Sequence, residues 1–129
     1  LTQCMQIIKG KKPENFSVLS GDDNLTLPML SFGMDGLISV VGNAYPRAYS
    51  DMVRAGLNGD FKTAREVHFR FMDLVELLFV DGNPAGIKAT LDFLGICGQE
   101  LRLPLVPATK PTLAAIEKIV AELREMATV

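Results

Sequence analysis

Two short apolar runs, residues 16–20 (FSVLS) and 36–41 (GLISVV), constrain this chain more than any other feature. Both favour strand, and neither alternates cleanly between apolar and polar, which is the pattern of strands covered on both faces. Lys11-Lys12-Pro13 and Gly21 bound the first run. Between the runs, residues 25–32 have Leu27 and Leu30 at helical spacing and Gly33 as a stop, with Pro28 in the first turn, where a missing N–H does least harm. Strand, short helix and strand make one βαβ unit, which requires parallel pairing and a right-handed crossover. Two parallel strands leave two edges of unpaired backbone groups, and a stable sheet wants more strands or full closure. A closed α/β barrel of eight strands meets that requirement. So does a small, helix-rich domain whose strands pair with something unrecognised. The pattern leaves both open.

The rest of the chain reads as helix. Leu1, Met5 and Ile8 share a face and Gly10 stops it. The chain opens inside this pattern without Met and without a cap, which is expected of a truncated or proteolysed chain. Pro46 opens a helix carrying Tyr49, Met52, Val53 and Leu57, closed by Asn58-Gly59. Asp60 is a good cap for a long helix with Phe61, Ala64, Val67, Phe71, Leu74 and Leu78 at threes and fours. Asn83-Pro84 supplies cap and first turn to a helix with Ile87, Leu91 and Leu94, ended at Gly95. Residues 101–107 (LRLPLVP) are too proline-rich for helix or central strand. From Thr112 a last helix shows Leu113, Ile116, Val120 and Leu123 on one face. Neither an internal repeat nor a low-complexity segment interrupts this order.

Composition narrows the function classes. The 129 residues suffice for a modest core, and 48% hydrophobic with 22% charged residues is ordinary for a globular domain. No apolar run approaches the ~18 residues of a membrane span, and no signal peptide is evident, so neither membrane nor secretion is expected. A net charge of -2 offers no basic patch of the kind nucleic acid selects. Cys4 and Cys97 stand alone, without CxxC or Cys/His spacing, so they are expected to be buried thiols of a cytoplasmic protein rather than metal ligands.

An ordered set of motifs then tips the balance between the two folds. Ser20-Gly21-Asp22-Asp23, Gly36-Leu37-Ile38-Ser39-Val40 with Asn43, Asn83-Pro84 with Lys88, and Arg102-Leu103-Pro104 with Pro107 occur in this order. Together they resemble the dihydrodipicolinate synthase family, one of the pyruvate-dependent aldolases and lyases that include N-acetylneuraminate lyase. The similarity runs from Phe16 to the last helix. Any one motif is weak; the set is specific. The chain departs at Gly86, where many members have a second proline, and at Gly82, where a polar residue is common. Asp22-Asp23 favours the synthase over N-acetylneuraminate lyase.

The resemblance implies an α/β fold, mostly helical by content: residues 1–58 as the last βα units of a (β/α)8 TIM barrel and residues 59–129 as a three-helix carboxy-terminal domain. It implies a Schiff-base lyase that condenses pyruvate with aspartate semialdehyde in lysine and diaminopimelate biosynthesis, without metal or cofactor, assembled as a dimer or tetramer. The imine-forming lysine is expected before Leu1, so no catalytic residue is expected in this chain, and the chain alone should be inactive. Another aldolase of the superfamily, or a non-catalytic assembly module, is the alternative.

Gly21, Asp22, Asp23 and Ile38 are the implied substrate-binding residues. The glycine-acid-acid turn would line the pocket near the second substrate, and Ile38 would border pyruvate. Each also has a structural reading: Asp23 as cap of the helix near Asn24, Ile38 as strand core. Ser39 and Asn43 are expected to shape the strand end by hydrogen bonding. Lys9, Lys11 and Lys12 suit the helix end they follow; Lys62, Lys110 and Lys118 look solvated, and Lys88 sits on a helix rather than at a strand end. His68, Asp73 and Glu76 are expected on a solvated helix face.

Overall fold

A computed structural model describes residues 1–10 and 13–127; Lys11 and Lys12 lie outside the described residues. The chain folds as α1 (Thr2–Lys9), β1 (Leu19–Ser20), α2 (Thr26–Ser31), β2 (Gly36–Leu37), a 3-10 turn (Val41–Asn43), α3 (Pro46–Leu57), α4 (Phe61–Val80), α5 (Ala85–Phe93) and α6 (Lys110–Ala127). Among the described residues it is mostly helical, with one two-stranded parallel sheet. Two compact units divide it, Leu1–Phe69 and Arg70–Val129, and the division falls within α4.

In the first unit β1 and β2 pair in parallel, Leu19 opposite Gly36 and Ser20 opposite Leu37. The ladder extends one bond each way: the Asp35 N–H donates to the Val18 carbonyl, and the Ile38 N–H to the Ser20 carbonyl, each at 2.9 Å. The strands are shorter than the apolar runs that foretold them. Residues 40 and 41 leave the ladder because their N–H groups turn to the Asp23 carboxylate instead, and the chain closes into the 3-10 turn. The expectation of strands buried on both faces also fails: Leu19 is exposed, and Ile38 is 71% exposed. Among the described residues only two strands pair, so side chains that a wider, covered sheet would bury stay open. On α2, Thr26, Met29 and Leu30 point inward.

Helix ends obey local chemistry. Pro46 stands at the first position of α3, and Asn58 with Gly59 (φ +82°) ends it. Leu57, placed on the inner face by the sequence, is exposed; Tyr49, Met52 and Gly56 form that face. Asp60 accepts the Thr63 N–H at 3.1 Å and so caps α4. The first helix forms as foreseen but buries no residue, and it ends at Gly10 in an extended rather than a left-handed conformation.

In the second unit, Phe71, Leu74, Val75 and Leu78 of α4, Ala85, Ile87 and Ala89 of α5, and Ile116, Val120 and Leu123 of α6 are buried. Pro84, not Asn83, stands at the N-cap of α5, without a side-chain cap bond. Residues 101–107 are irregular, as their prolines require. Asp81 anchors the start of α6, accepting the Thr109 N–H at 2.8 Å and its hydroxyl at 3.0 Å. No helix among the described residues is long and apolar enough to cross a membrane.

Candidate functional site

Parallel pairing settles where the singled-out residues stand. The register that sets Ser20 opposite Leu37 carries Gly21 and Ile38 out together at the carboxyl ends of β1 and β2. Gly21, Asp22 and Ile38 are exposed there. A Cβ added to Gly21 would meet nothing within 4 Å, and its backbone is not left-handed. Neither packing nor dihedral strain within this chain demands glycine at that position.

The turn after β1 is held by short local bonds. The Ser20 hydroxyl donates to the Asp22 carbonyl (2.9 Å) and accepts the Asp22 N–H (3.2 Å). The Thr26 hydroxyl donates to the same carbonyl at 2.7 Å. It is the side chain of Asp22, not that of Asp23, that accepts an N–H at the helix start, from Leu25 at 3.0 Å. Asp23 points the other way. It is only 4% exposed, and its carboxylate accepts the Ser39 hydroxyl and the N–H groups of Val40 (3.0 Å) and Val41 (3.4 Å). Ser39 in turn accepts the Gly42 N–H at 2.7 Å. Asn43 donates to the Val40 carbonyl at 3.0 Å. Ser39 and Asn43 thus shape the end of β2, as their position foretold.

A cleft of about 320 Å³ opens beside this cluster, lined by Leu37, Ser39, Gly42, Pro46, Tyr49, Ser50, Val53 and Arg54. Ser39 joins it to the rim; Gly21, Asp22, Asp23 and Ile38 do not line it. Burial raises the Tyr49 phenol well above its usual range, and the negative charge of Asp23 adds to the rise. Tyr49 therefore stays protonated throughout the neutral range. Arg54 pairs with Asp51 at 2.7 Å on the exposed side of α3. In the second unit a smaller cleft, about 150 Å³, gathers Asn83, Pro84 and Pro104, residues of two separate sequence motifs, with Asp81, Gly82, Ala85, Leu101, Leu105 and Val106.

Two further expectations, on His68 and on the cysteines, are overturned. His68 is 5% exposed, not on a solvated face. It falls four residues after Ala64 and three before Phe71, on the apolar stripe of α4, and the spacing outranks the polar type of the residue. Its Nδ1 has no hydrogen-bond partner, its ring lies 5.7 Å from that of Phe69, and desolvation holds its pKa below 6.5. The cysteines are not buried either: Cys97 is exposed, Cys4 is half-buried, and both are free. Their spacing gave no guide to burial. Among the described residues no group of three or more His, Cys, Asp or Glu side chains could hold a metal ion.

The family model of the dihydrodipicolinate synthetase family matches residues 1–123. The chain belongs to the dihydrodipicolinate synthetase family. It is 50% identical to the 4-hydroxy-tetrahydrodipicolinate synthase of Phocaeicola vulgatus over 124 residues, 96% of this chain and 41% of that protein. The crystal structure of dihydrodipicolinate synthase from Aquifex aeolicus superposes with a TM-score of 0.89 at 40% identity, covering 95% of this chain and 42% of that one. The chloride-inhibited dihydrodipicolinate synthase of Acinetobacter baumannii, complexed with pyruvate, superposes with a TM-score of 0.75 at 29% identity, covering 82% of this chain and 38% of that one. The chain thus spans about two fifths of the length of these dihydrodipicolinate synthases.

Proposed function

We propose that this chain is the carboxy-terminal portion of a lyase that condenses pyruvate with aspartate semialdehyde in lysine and diaminopimelate biosynthesis. On this reading β1 and β2 are the last two strands of a (β/α)8 barrel within residues 1–58, and residues 59–129 are the appended three-helix domain. The observation that carries it is the parallel register of β1 and β2, which brings Gly21, Asp22 and Ile38 to one carboxyl edge. In barrel enzymes that edge is the reacting face.

There Ile38 borders pyruvate, and the bare backbone of Gly21 leaves room for a ligand to approach closely. Asp22 presents an exposed carboxylate toward the second substrate, whose ammonium group suits it. The imine forms on a lysine supplied by the part of the relatives that this chain does not span. The imine nitrogen is itself the electron sink, so the reading calls for no cofactor. It also assigns the longer protein to the cytoplasm and to a homodimer or homotetramer.

Incubation with pyruvate and borohydride tests this reading. The longer protein should gain one reduced pyruvate adduct by mass, and the chain of residues 1–129 should gain none. A covalent adduct on this chain would overturn the proposal. Assay of the longer protein with different aldehydes separates aspartate semialdehyde from the substrates of other aldolases in the superfamily.

A further inference from the structure

Asp23 and Ser39 form a brace, sixteen residues apart in sequence, between the turn after β1 and the end of β2. We infer that the pair are positioning residues for Ile38: they touch no substrate, but they fix the backbone that meets it. The inference rests on the proposed function, which puts Ile38 beside pyruvate.

Ile38 is held from both sides. Ahead of it, its own N–H donates to the Ser20 carbonyl at 2.9 Å. Behind it, the next three residues are all gripped by one carboxylate, through the Ser39 hydroxyl and the N–H groups of Val40 and Val41. The side chain of Ile38 is largely exposed, so packing does not hold its place; the hydrogen bonds on either side do. Asp23, almost wholly buried, has little surface left with which to meet a ligand.

Gly42 completes the arrangement. A Cβ there would stand 3.0 Å from the Ser39 Cβ and 3.1 Å from its Oγ, closer than ordinary van der Waals contact. A side chain at residue 42 would therefore push Ser39 a few tenths of an ångström from its seat. The brace differs from a plain strand end in that a buried charge sets it. Charge-assisted bonds are shorter and stronger than neutral ones, and they resist rotation of the groups they join.

The test uses the longer protein that contains this chain. Ser39→Ala removes the donor to Asp23 and should raise KM for pyruvate about 3- to 10-fold, the size of one hydrogen bond's net worth. The KM for the aldehyde should move less, and the unfolding midpoint only slightly. Ser39→Thr retains the hydroxyl and should restore pyruvate KM. Asp23→Asn, with the same shape but no charge, should behave like Ser39→Ala; if it does not fold, the serine pair still decides. Unchanged pyruvate KM in Ser39→Ala overturns the inference, as does an equal change for both substrates or a failure of Ser39→Thr to rescue. A wild-type protein that forms no pyruvate imine sinks the proposed function instead, so the two failures are told apart.

Discussion

A buried carboxylate that satisfies three donors is costly to remove from one side only. Asp23→Ala would leave the Ser39 hydroxyl and the Val40 and Val41 N–H groups without their acceptor, and unpaired buried polar groups cost about 1–3 kcal/mol each. The expected loss of stability is about 2–4 kcal/mol, since some of the donors will find water; urea unfolding of the chain measures it. Asp22→Ala, which removes one exposed bond to Leu25, should cost under about 1 kcal/mol. Equal losses for the two variants would contradict the division of roles between them. His68 adds a pH effect. Its folded pKa lies below 6.5 because burial disfavours the charged ring. As pH falls through 6.5, the unfolded chain binds a proton that the folded chain refuses, so stability declines until the folded value is passed. Wild type should therefore lose stability as pH falls below about 6.5, and His68→Leu should lose less over the same range. Asp60 and Asp81, whose pKa values are lowered below 3.8 chiefly by bonds to Thr63 and Thr112 respectively, lose their contributions only at more acid pH. Parallel pH curves for wild type and His68→Leu would refute the assignment.

Where helices meet, two glycines set the limits of approach, and they differ in kind. A Cβ on Gly86 of α5 would lie 2.5 Å from both the Cα and the carbonyl oxygen of Leu78 in α4. Backbone cannot yield as a side chain does, so Gly86→Ala must part the helices. A Cβ on Gly56 of α3 would instead meet the end of the Leu30 side chain, 2.7 Å from its Cδ1, which can rotate away. Gly86→Ala is expected to cost about 2–3 kcal/mol and Gly56→Ala about 1 kcal/mol, within the range for overpacking; thermal unfolding gives the order. The same contact gives Gly86, a departure from the family pattern, a physical reason within this chain. At this scale the helices were legible in the sequence because their signals are local. Pro46, Asn58-Gly59 and Asp60 act within a turn of where they stand. The strand ends were not legible, because residues 40 and 41 are drawn off by a carboxylate 17 and 18 residues earlier. The burial of His68 was legible in its spacing from Ala64 and Phe71, yet obscured by its residue type.

For the molecule taken whole, what matters is the apolar surface the described residues leave open. That Gly21 and Ile38 stand together just past the paired residues could be foreseen, since a βαβ unit permits only parallel strands. The open faces could be foreseen only in part: the runs around β1 and β2 have the composition of strands covered on both faces, and here such cover is lacking. Phe16, at 56% exposure, Leu19 and Ile38 stand open in the first unit, and Leu103, Val106 and Ile96 in the second. Burial of such side chains is worth about 1.5–3 kcal/mol each, and unpaired strand edges template further pairing. The isolated chain should therefore associate as its concentration rises, and light scattering should give a mass above that of one chain. Phe16→Asp puts charge beside the open edge at a position with little packing to lose. It should weaken association and leave the unfolding midpoint of dilute protein nearly unchanged. A wild-type chain that remains a monodisperse monomer at high concentration would show that these surfaces do not drive assembly. If Phe16→Asp instead left association intact, the contact would lie away from the sheet edge, and the exposed loop around Leu103 would become the surface to alter.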